Sequence, residues 1–185
     1  MNAPALSNVS AQQTLVGDML EAALAYARHG WPVFPCHPDT KRPLTPRGEG
    51  GAGGLKRATT DERRIVAWWQ RFPLAMIGLP TGRAIGAFVL DLDSGIDEKT
   101  GDVFEIADVE SAISAELGVM LPSTWTAATP RGGRHLYFAV PETEVPGNRA
   151  GMIPHVDVRG EGGFVIVPPS VRADGKSYRW IHPPW

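Results

Sequence analysis

The chain is nearly free of cysteine. Cys36 is the single one in 185 residues, which excludes an internal disulfide framework and any cysteine-based zinc cluster. Long apolar runs are missing too, since no stretch approaches the roughly 18 residues that a membrane-crossing helix needs. The start, "MNAPALSNVSAQQ", has no basic segment followed by an apolar one and does not read as a signal peptide. Together these absences predict a cytoplasmic protein with no membrane partner. Neither sign of charge dominates: 18 Lys and Arg stand against 20 Asp and Glu, a net charge of -2. The chain is therefore not broadly basic. Its 43% apolar and 21% charged content is ordinary for a globular protein. The length suits one domain with a real core and room for a small appendage.

The charge that is present is unevenly spread. Arg28, Lys41, Arg42, Arg47, Lys56, Arg57, Arg63, Arg64 and Arg71 crowd the first part, whereas residues 91 to 116 are mostly acidic. Such a split suits a protein that holds cations on one side and an anionic partner on the other, though an unevenly decorated surface has the same look. Leu15, Val16, Met19, Leu20, Ala23, Leu24 and Ala27 recur at helical spacing and predict a helix over about residues 13 to 28, ended by Gly30. "WPVFPC" reads as a short strand, and the Pro- and Gly-rich residues 37 to 58 as a long surface loop. Thr59 or Thr60 can cap a second helix, "TDERRIVAWWQRF". "LAMIGLPTG" and "AIGAFVLDLD" follow as strands, then a helix around "VESAISAELG". After it come "TWTAATP", "HLYFAV", "HVDVRG", "GFVIVPPS" and "SYRWI" as short strands. The pattern is α+β, with helices early and a mixed or antiparallel sheet late.

Three of these strands share an oddity. In "FVLDLDSG", Phe88, Leu90 and Leu92 take one face, so Asp91 and Asp93 take the other. In "RHLYFAV", Leu136, Phe138 and Val140 place His135 and Tyr137 opposite. In "HVDVRG", Val156 and Val158 leave Asp157 opposite, with Arg159 just beyond. Brought onto one sheet surface, three carboxylates would repel and raise one another's pKa values. A divalent cation removes that conflict, and hard oxygen ligands suit Mg²⁺ or Mn²⁺. The turn "TPRGGRH" adds glycines, including Gly133, that let backbone approach a ligand. It also carries Arg131 and Arg134, which can meet phosphate.

Taken alone, the Asp91–Asp93 pair leaves other readings open. It can simply end a strand. "DLDSG" is similar to the nucleophile loop of haloacid dehalogenase phosphatases, but Gly95 stands where Thr or Val belongs. "DLDSGIDEKTGD" is similar to a calcium loop with its glycine one place early. "GEGGAG", residues 48 to 53, fits G-x-G-x-x-G but follows a loop, so it reads as a flexible or substrate-covering segment. His29, His37, His155 and His182 show no ligand spacing. Trp68 and Trp69 on the basic helix could stack on bases, yet packing is the simpler role.

The ordered series "D-x-D … GG-x-H-L-Y-F … V-D-V-R-G-x-GG-F-V-I-V-PPS", with "ALAYARHGWPVFPC", "K-R-P" and "ATTDERRIVAWW" before it, resembles the N-terminal domain of bifunctional DNA primase/polymerases. These belong to the prim-pol branch of the archaeo-eukaryotic primase superfamily, common in phage and plasmid replication. The likeness runs from about residue 18 to Trp180. It implies a catalytic core related to the RNA-recognition-motif fold, joined to an N-terminal α/β part. The expected layout is a flexible 1–12, a catalytic domain over 13–182 divided near residue 80, and a domain edge or linker start at 183–185. By resemblance, Asp91, Asp93 and Asp157 hold a two-metal site of Mg²⁺ or Mn²⁺, and His135 binds the incoming nucleotide. Arg159 and the segment through Ser170 help form the nucleotide pocket, and Lys41 and Lys56 match recurrent basic positions. Implied partners are a single-stranded DNA template and primer, dNTP or NTP, and a helicase domain or protein C-terminal to this segment, in a bacterial or archaeal host cell. Gly133 departs from relatives with Ser two residues before the histidine, and a zinc stem is not expected with one cysteine. Two other functions stay open: a catalytically silent nucleic-acid-binding module of the same fold, and a phosphatase that would be labelled at Asp91.

Overall fold

Apolar residues at helical spacing build the first element. In the computed structural model, which describes residues 19–45, 53–96, 101 and 103–185, residues 19–28 are helical (α1). Met19, Ala23, Leu24, Tyr26 and Ala27 form its buried face. Gly30, at φ 81°, supplies the left-handed turn that stops it. The segment 1–12, the first residues of the expected 13–28 helix, Arg47, positions 48–52 of "GEGGAG" and the end of the calcium-like loop (97–100 and 102) lie outside the described residues.

The second helix, α2 (Glu62–Arg71), is capped by Asp61, whose side chain accepts from the Arg63 N–H at 2.9 Å. The expected cap was Thr59 or Thr60. Thr59 instead accepts from the Asp61 N–H one step earlier, so the two residues cap in series. Ile65 and Trp69 face inward, and the Trp69 indole N–H donates to the Ala75 carbonyl. Trp68 packs beside the core, with Arg64 over its ring. Both tryptophans are thus used for packing.

The strands make two principal sheets. β1 (Phe34–Cys36), β2 (Met76–Pro80) and β10 (Phe164–Val167) form an antiparallel three-stranded sheet with β2 in the middle. The larger sheet has six strands in the order β11-β6-β7-β3-β9-β8, each pairing antiparallel. Its members are β3 (Ala87–Leu92), β6 (Trp125–Ala128), β7 (Arg134–Ala139), β8 (Arg149–Ile153), β9 (Val156–Arg159) and β11 (Arg179–His182). A small hairpin, β4 (Gly95–Ile96) with β5 (Val103–Phe104), leads into helix α3 (Ile106–Leu117). The fold is α+β. Among the described residues, no helix is long and apolar enough to cross a membrane.

Both faces of the large sheet are covered, by different partners. On one face Leu92, Leu136 and Val156 pack with Ile106, Val109 and Ile113 of α3. On the other, Ala87, Val89, Ala127 and Tyr137 join α1, Ile65, Trp69, Ile77, Leu79, Val165 and Val167 in one core. That core does not divide at residue 80, because β10 from the second half completes the sheet begun by β1 and β2. Nor do residues 183–185 stand apart, since Trp185 stacks on His29 and meets Tyr26 and Trp31 edge-on.

Gly78 sits at the centre of the smaller sheet, opposite Phe34 on one side and Ile166 on the other. A Cβ there would lie 2.6 Å from the Phe34 ring and 2.7 Å from the Cys36 sulfur. Gly78→Ala is therefore expected to cost about 1–3 kcal/mol of stability through overpacking, read from urea unfolding. An unchanged midpoint would show that Phe34 yields without cost.

Candidate functional site

The site is a product of strand register. β3 lies between β7 and β9, with Asp91 directly opposite His135 on one side and Asp157 on the other. Neighbouring strands are about 4.8 Å apart, so the three side chains stand abreast on one face. The row beside it is Tyr137, Val89 and Arg159. Along β3 the face changes character. Ala87 and Val89 are buried in the core, Asp91 is half-buried, and Asp93 is exposed just past the strand end. The Asp93 N–H donates to the His155 carbonyl at 2.9 Å, which ties this end to the turn before β9.

Each carboxylate has a defined set of partners. His135 Nε2 is 3.3 Å from Asp91 Oδ1. Arg159 Nη2 is 3.3 Å from Asp91 Oδ2 and 2.7 Å from Asp157 Oδ2. The second oxygen of Asp157 accepts from the Gly151 N–H at 2.9 Å. Burial alone would push the Asp91 carboxyl up. The hydrogen bond and charge of His135, with the charges of Arg159 and Lys41, more than offset it and hold the group down at about 2. Asp93 moves the other way, pushed up first by burial and then by the negative charges of Asp91 and Asp157. His135 is buried, and its Nδ1 has no hydrogen-bond partner among the described residues.

Asp91, His135 and Arg159 border a cleft of about 280 Å³ that is also lined by Lys41, Asn148, Gly162, Gly163 and Tyr178, with Leu55 and Phe164 among the apolar walls. Two larger hollows, of about 740 and 520 Å³, lie beside α3 on the other face of the sheet. The smaller cleft is the functional candidate because Asp91, His135 and Arg159 line it. Lys41 holds a left-handed backbone (φ 59°), uncommon for a residue with a Cβ. Its ammonium lies 6.0 Å from the Tyr178 ring centroid. Burial pulls the Lys41 amine down, Asp91 opposes that, and the nearby charges of Arg172 and Arg131 add to it. Lys41 and Arg159 are thus the cations that act on both Asp91 and Asp93.

Four expected contributors stand elsewhere. Arg134 lies on the Leu136 face, not the His135 face, and is ion-paired to Glu110 of α3. The two-residue strand period put it one position out of phase with the site. Ser170 is fully buried, and its Oγ accepts from the Ile77 N–H at 2.8 Å, so it braces β2. Lys56 is exposed on the 3-10 turn Gly54–Arg57, where its neighbour Leu55 reaches the cleft. Gly133 is buried where any Cβ would run into the Leu92 carbonyl. Its role is close packing of the turn onto β3, and a serine would not fit this backbone. Arg131 is exposed on the turn, near enough to Lys41 and Tyr178 to affect both. Asn148, Arg172 and Tyr178 were not anticipated.

Three hard-oxygen donors on one face are the right chemistry for Mg²⁺ or Mn²⁺ and the wrong one for a thiolate-bound metal. As the side chains stand, no three His, Cys, Asp or Glu among the described residues converge on an ion-sized point. Arg159 draws Asp91 and Asp157 toward itself instead.

An antiparallel α+β fold with a carboxylate row beside a cation-lined cleft is the class that these features define. The chain belongs to the bifunctional DNA primase/polymerase N-terminal domain family, whose model matches residues 23–184. Comparison with curated proteins finds no match.

The opposite shifts of Asp91 and Asp93 have opposite consequences for stability. Asp91 has a folded value near 2 against 3.8 unperturbed. It contributes stability above about pH 4, and that stability is lost as pH falls through about 2. Asp91→Asn is expected to lower stability at neutral pH by on the order of 1–2 kcal/mol and to flatten the acid limb. Asp93 is raised, so its ionised form disfavours the fold above its folded value. In chelator at neutral pH, Asp93→Asn should leave the thermal midpoint unchanged or raise it by a few degrees. Equal destabilisation by both changes would contradict this electrostatic account.

Proposed function

We propose that this chain is the catalytic domain of a template-directed nucleotidyltransferase that makes and extends DNA primers. The family suggests a primase/polymerase role. The observation that carries the finer reading is the row His135–Asp91–Asp157, with Asp93 beyond it, whose Asp91 and His135 line a cleft shared with Lys41 and Arg159.

In this reading Asp91, Asp93 and Asp157 hold divalent cations. When bound, such ions lower the pKa of a primer 3′ hydroxyl and offset charge on the departing pyrophosphate. Lys41, Arg131, Arg159 and Arg172 meet the triphosphate of a dNTP or NTP, with Arg159 suited to two-pronged contact with phosphate. His135, which lines the cleft, binds the incoming nucleotide. Gly162 and Gly163 let the substrate lie close to backbone at the cleft floor. The basic residues of the first third guide the template and primer backbone, which makes binding salt-sensitive. Phage or plasmid replication, with a helicase acting alongside, is the proposed setting.

Primer extension on a single-stranded template with Mg²⁺ or Mn²⁺ tests this. Asp91→Ala and Asp157→Ala should each reduce the rate by about 100-fold or more. His135→Ala should act mainly on nucleotide KM. Parent-level extension by both aspartate variants would sink the assignment. Tight DNA binding by the parent without metal-dependent synthesis would point to a silent binding module.

A further inference from the structure

We infer that Arg159 is an exchangeable counter-ion that occupies the carboxylates until a nucleotide draws it away, so that divalent cation and nucleotide load cooperatively. The inference rests on the proposed role of Asp91 and Asp157 as metal holders, and goes beyond it by assigning a competitor within the chain.

The argument starts from which oxygens are free. Asp91 Oδ1 is taken by His135 Nε2, and Asp157 Oδ1 by the Gly151 N–H. One oxygen of each carboxylate remains, and the same guanidinium takes both: Nη2 is 2.7 Å from Asp157 Oδ2 and 3.3 Å from Asp91 Oδ2, with Nε 3.4 Å from the latter. A cation held by those two oxygens would compete with Arg159 for them. Backbone placement makes this grip easy to form, because Arg159 is two residues from Asp157 on the same face of β9 and sits beside Val89, one row from Asp91.

The same side chain lines the cleft and is 30% exposed. It has somewhere to go. A polyphosphate in the cleft offers a planar donor the geometry it favours, with more negative charge than two carboxylates. Lys41, which lines the same cleft, raises the local affinity for such an anion. A ligand with higher affinity for the Arg159-released state shifts the population toward that state, and the carboxylates then become available. By linkage, metal in place favours nucleotide to the same extent.

The magnitude follows from occupancy. If Arg159 holds the carboxylates nine-tenths of the time or more, apparent cation affinity is reduced about tenfold or more. The test is a nucleotide-free Mn²⁺ titration of the full chain, with free Mn²⁺ read by electron paramagnetic resonance. Arg159→Gln should bind Mn²⁺ about tenfold tighter than the parent or better. Adding Asp157→Asn to it should remove the gain. Thermal unfolding gives an independent readout: in chelator Arg159→Gln should melt lower, with two carboxylates left facing each other, and gain more from Mn²⁺ than the parent does. Arg159→Lys keeps a charge without the two-pronged grip and should show part of the gain, which keeps the test open if the glutamine variant does not fold.

Mn²⁺ affinity no higher in either Arg159 variant than in the parent overturns the inference. If Asp157→Asn nonetheless weakens Mn²⁺ binding in the parent, the metal-site reading survives that failure. If Asp157→Asn changes nothing in any background, the carboxylates hold no metal and both fall together.

Discussion

Negative charge gathered at the end of β3 is the constraint around which the neighbouring structure is arranged. Asp91 is half-buried beside Asp157 and close to Asp93, a placement that repulsion and desolvation both oppose. The fold offsets that cost locally, with His135 from β7, Arg159 from β9 and Lys41 from the loop after β1. None of these can be supplied by β3 itself. The strand must be central, flanked on both sides, and held in a register that a slip of one residue would invert. That demand is met by apolar packing on both faces of β3: Val89 against the large core, Leu92 against α3.

The same central position explains how the chain can tolerate a polar site so near its core. Moving along the site face of β3, the side chains pass from Ala87 and Val89, fully enclosed, through Asp91 to Asp93 at the surface. The gradient separates the two carboxylates physically although they are two residues apart. Asp91 lies deep enough to need positively charged partners and is held ionised by them. Asp93 is further out, faces two like charges, and has its ionised form disfavoured. Two aspartates two residues apart are thereby shifted in opposite directions by their depth and their charged neighbours.

Much of this was legible in the sequence, for a reason that particular residues make plain. Period-two alternation around Leu90, Leu136 and Val156 assigns faces without any knowledge of pairing, so it correctly put Asp91, His135 and Asp157 on one kind of surface. It also contained the means to exclude Arg134, which shares parity with Leu136 and not with His135. Alternation says nothing about what a side chain's own atoms are doing. Ser170 looked like a cleft residue but spends its Oγ on the Ile77 amide, a long-range contact that no local pattern announces. Asn148, Arg172 and Tyr178 reach the cleft region from loops and a turn, where periodicity carries no information. The β4–β5 hairpin escaped because its strands have two residues each, and β8 because Gly151 interrupts its alternation.

Arg134 and Arg159 show how far parity governs chemistry here. Each is an arginine on a strand next to β3, and each forms an ion pair with a carboxylate. Arg134 faces α3, where its pairing with Glu110 joins a helix to the sheet beside an apolar cluster. A structural pair of that kind has no reason to break. Arg159 faces the cleft, where the charges around it include Lys41 as well as Asp91 and Asp157, and where an anion of higher charge has room to compete. The difference between a fixed brace and a displaceable counter-ion is thus set by which side of the sheet the residue number assigns. It follows that the resting pairing of Arg159 is better understood as protection of the carboxylates from one another than as a lock on the fold.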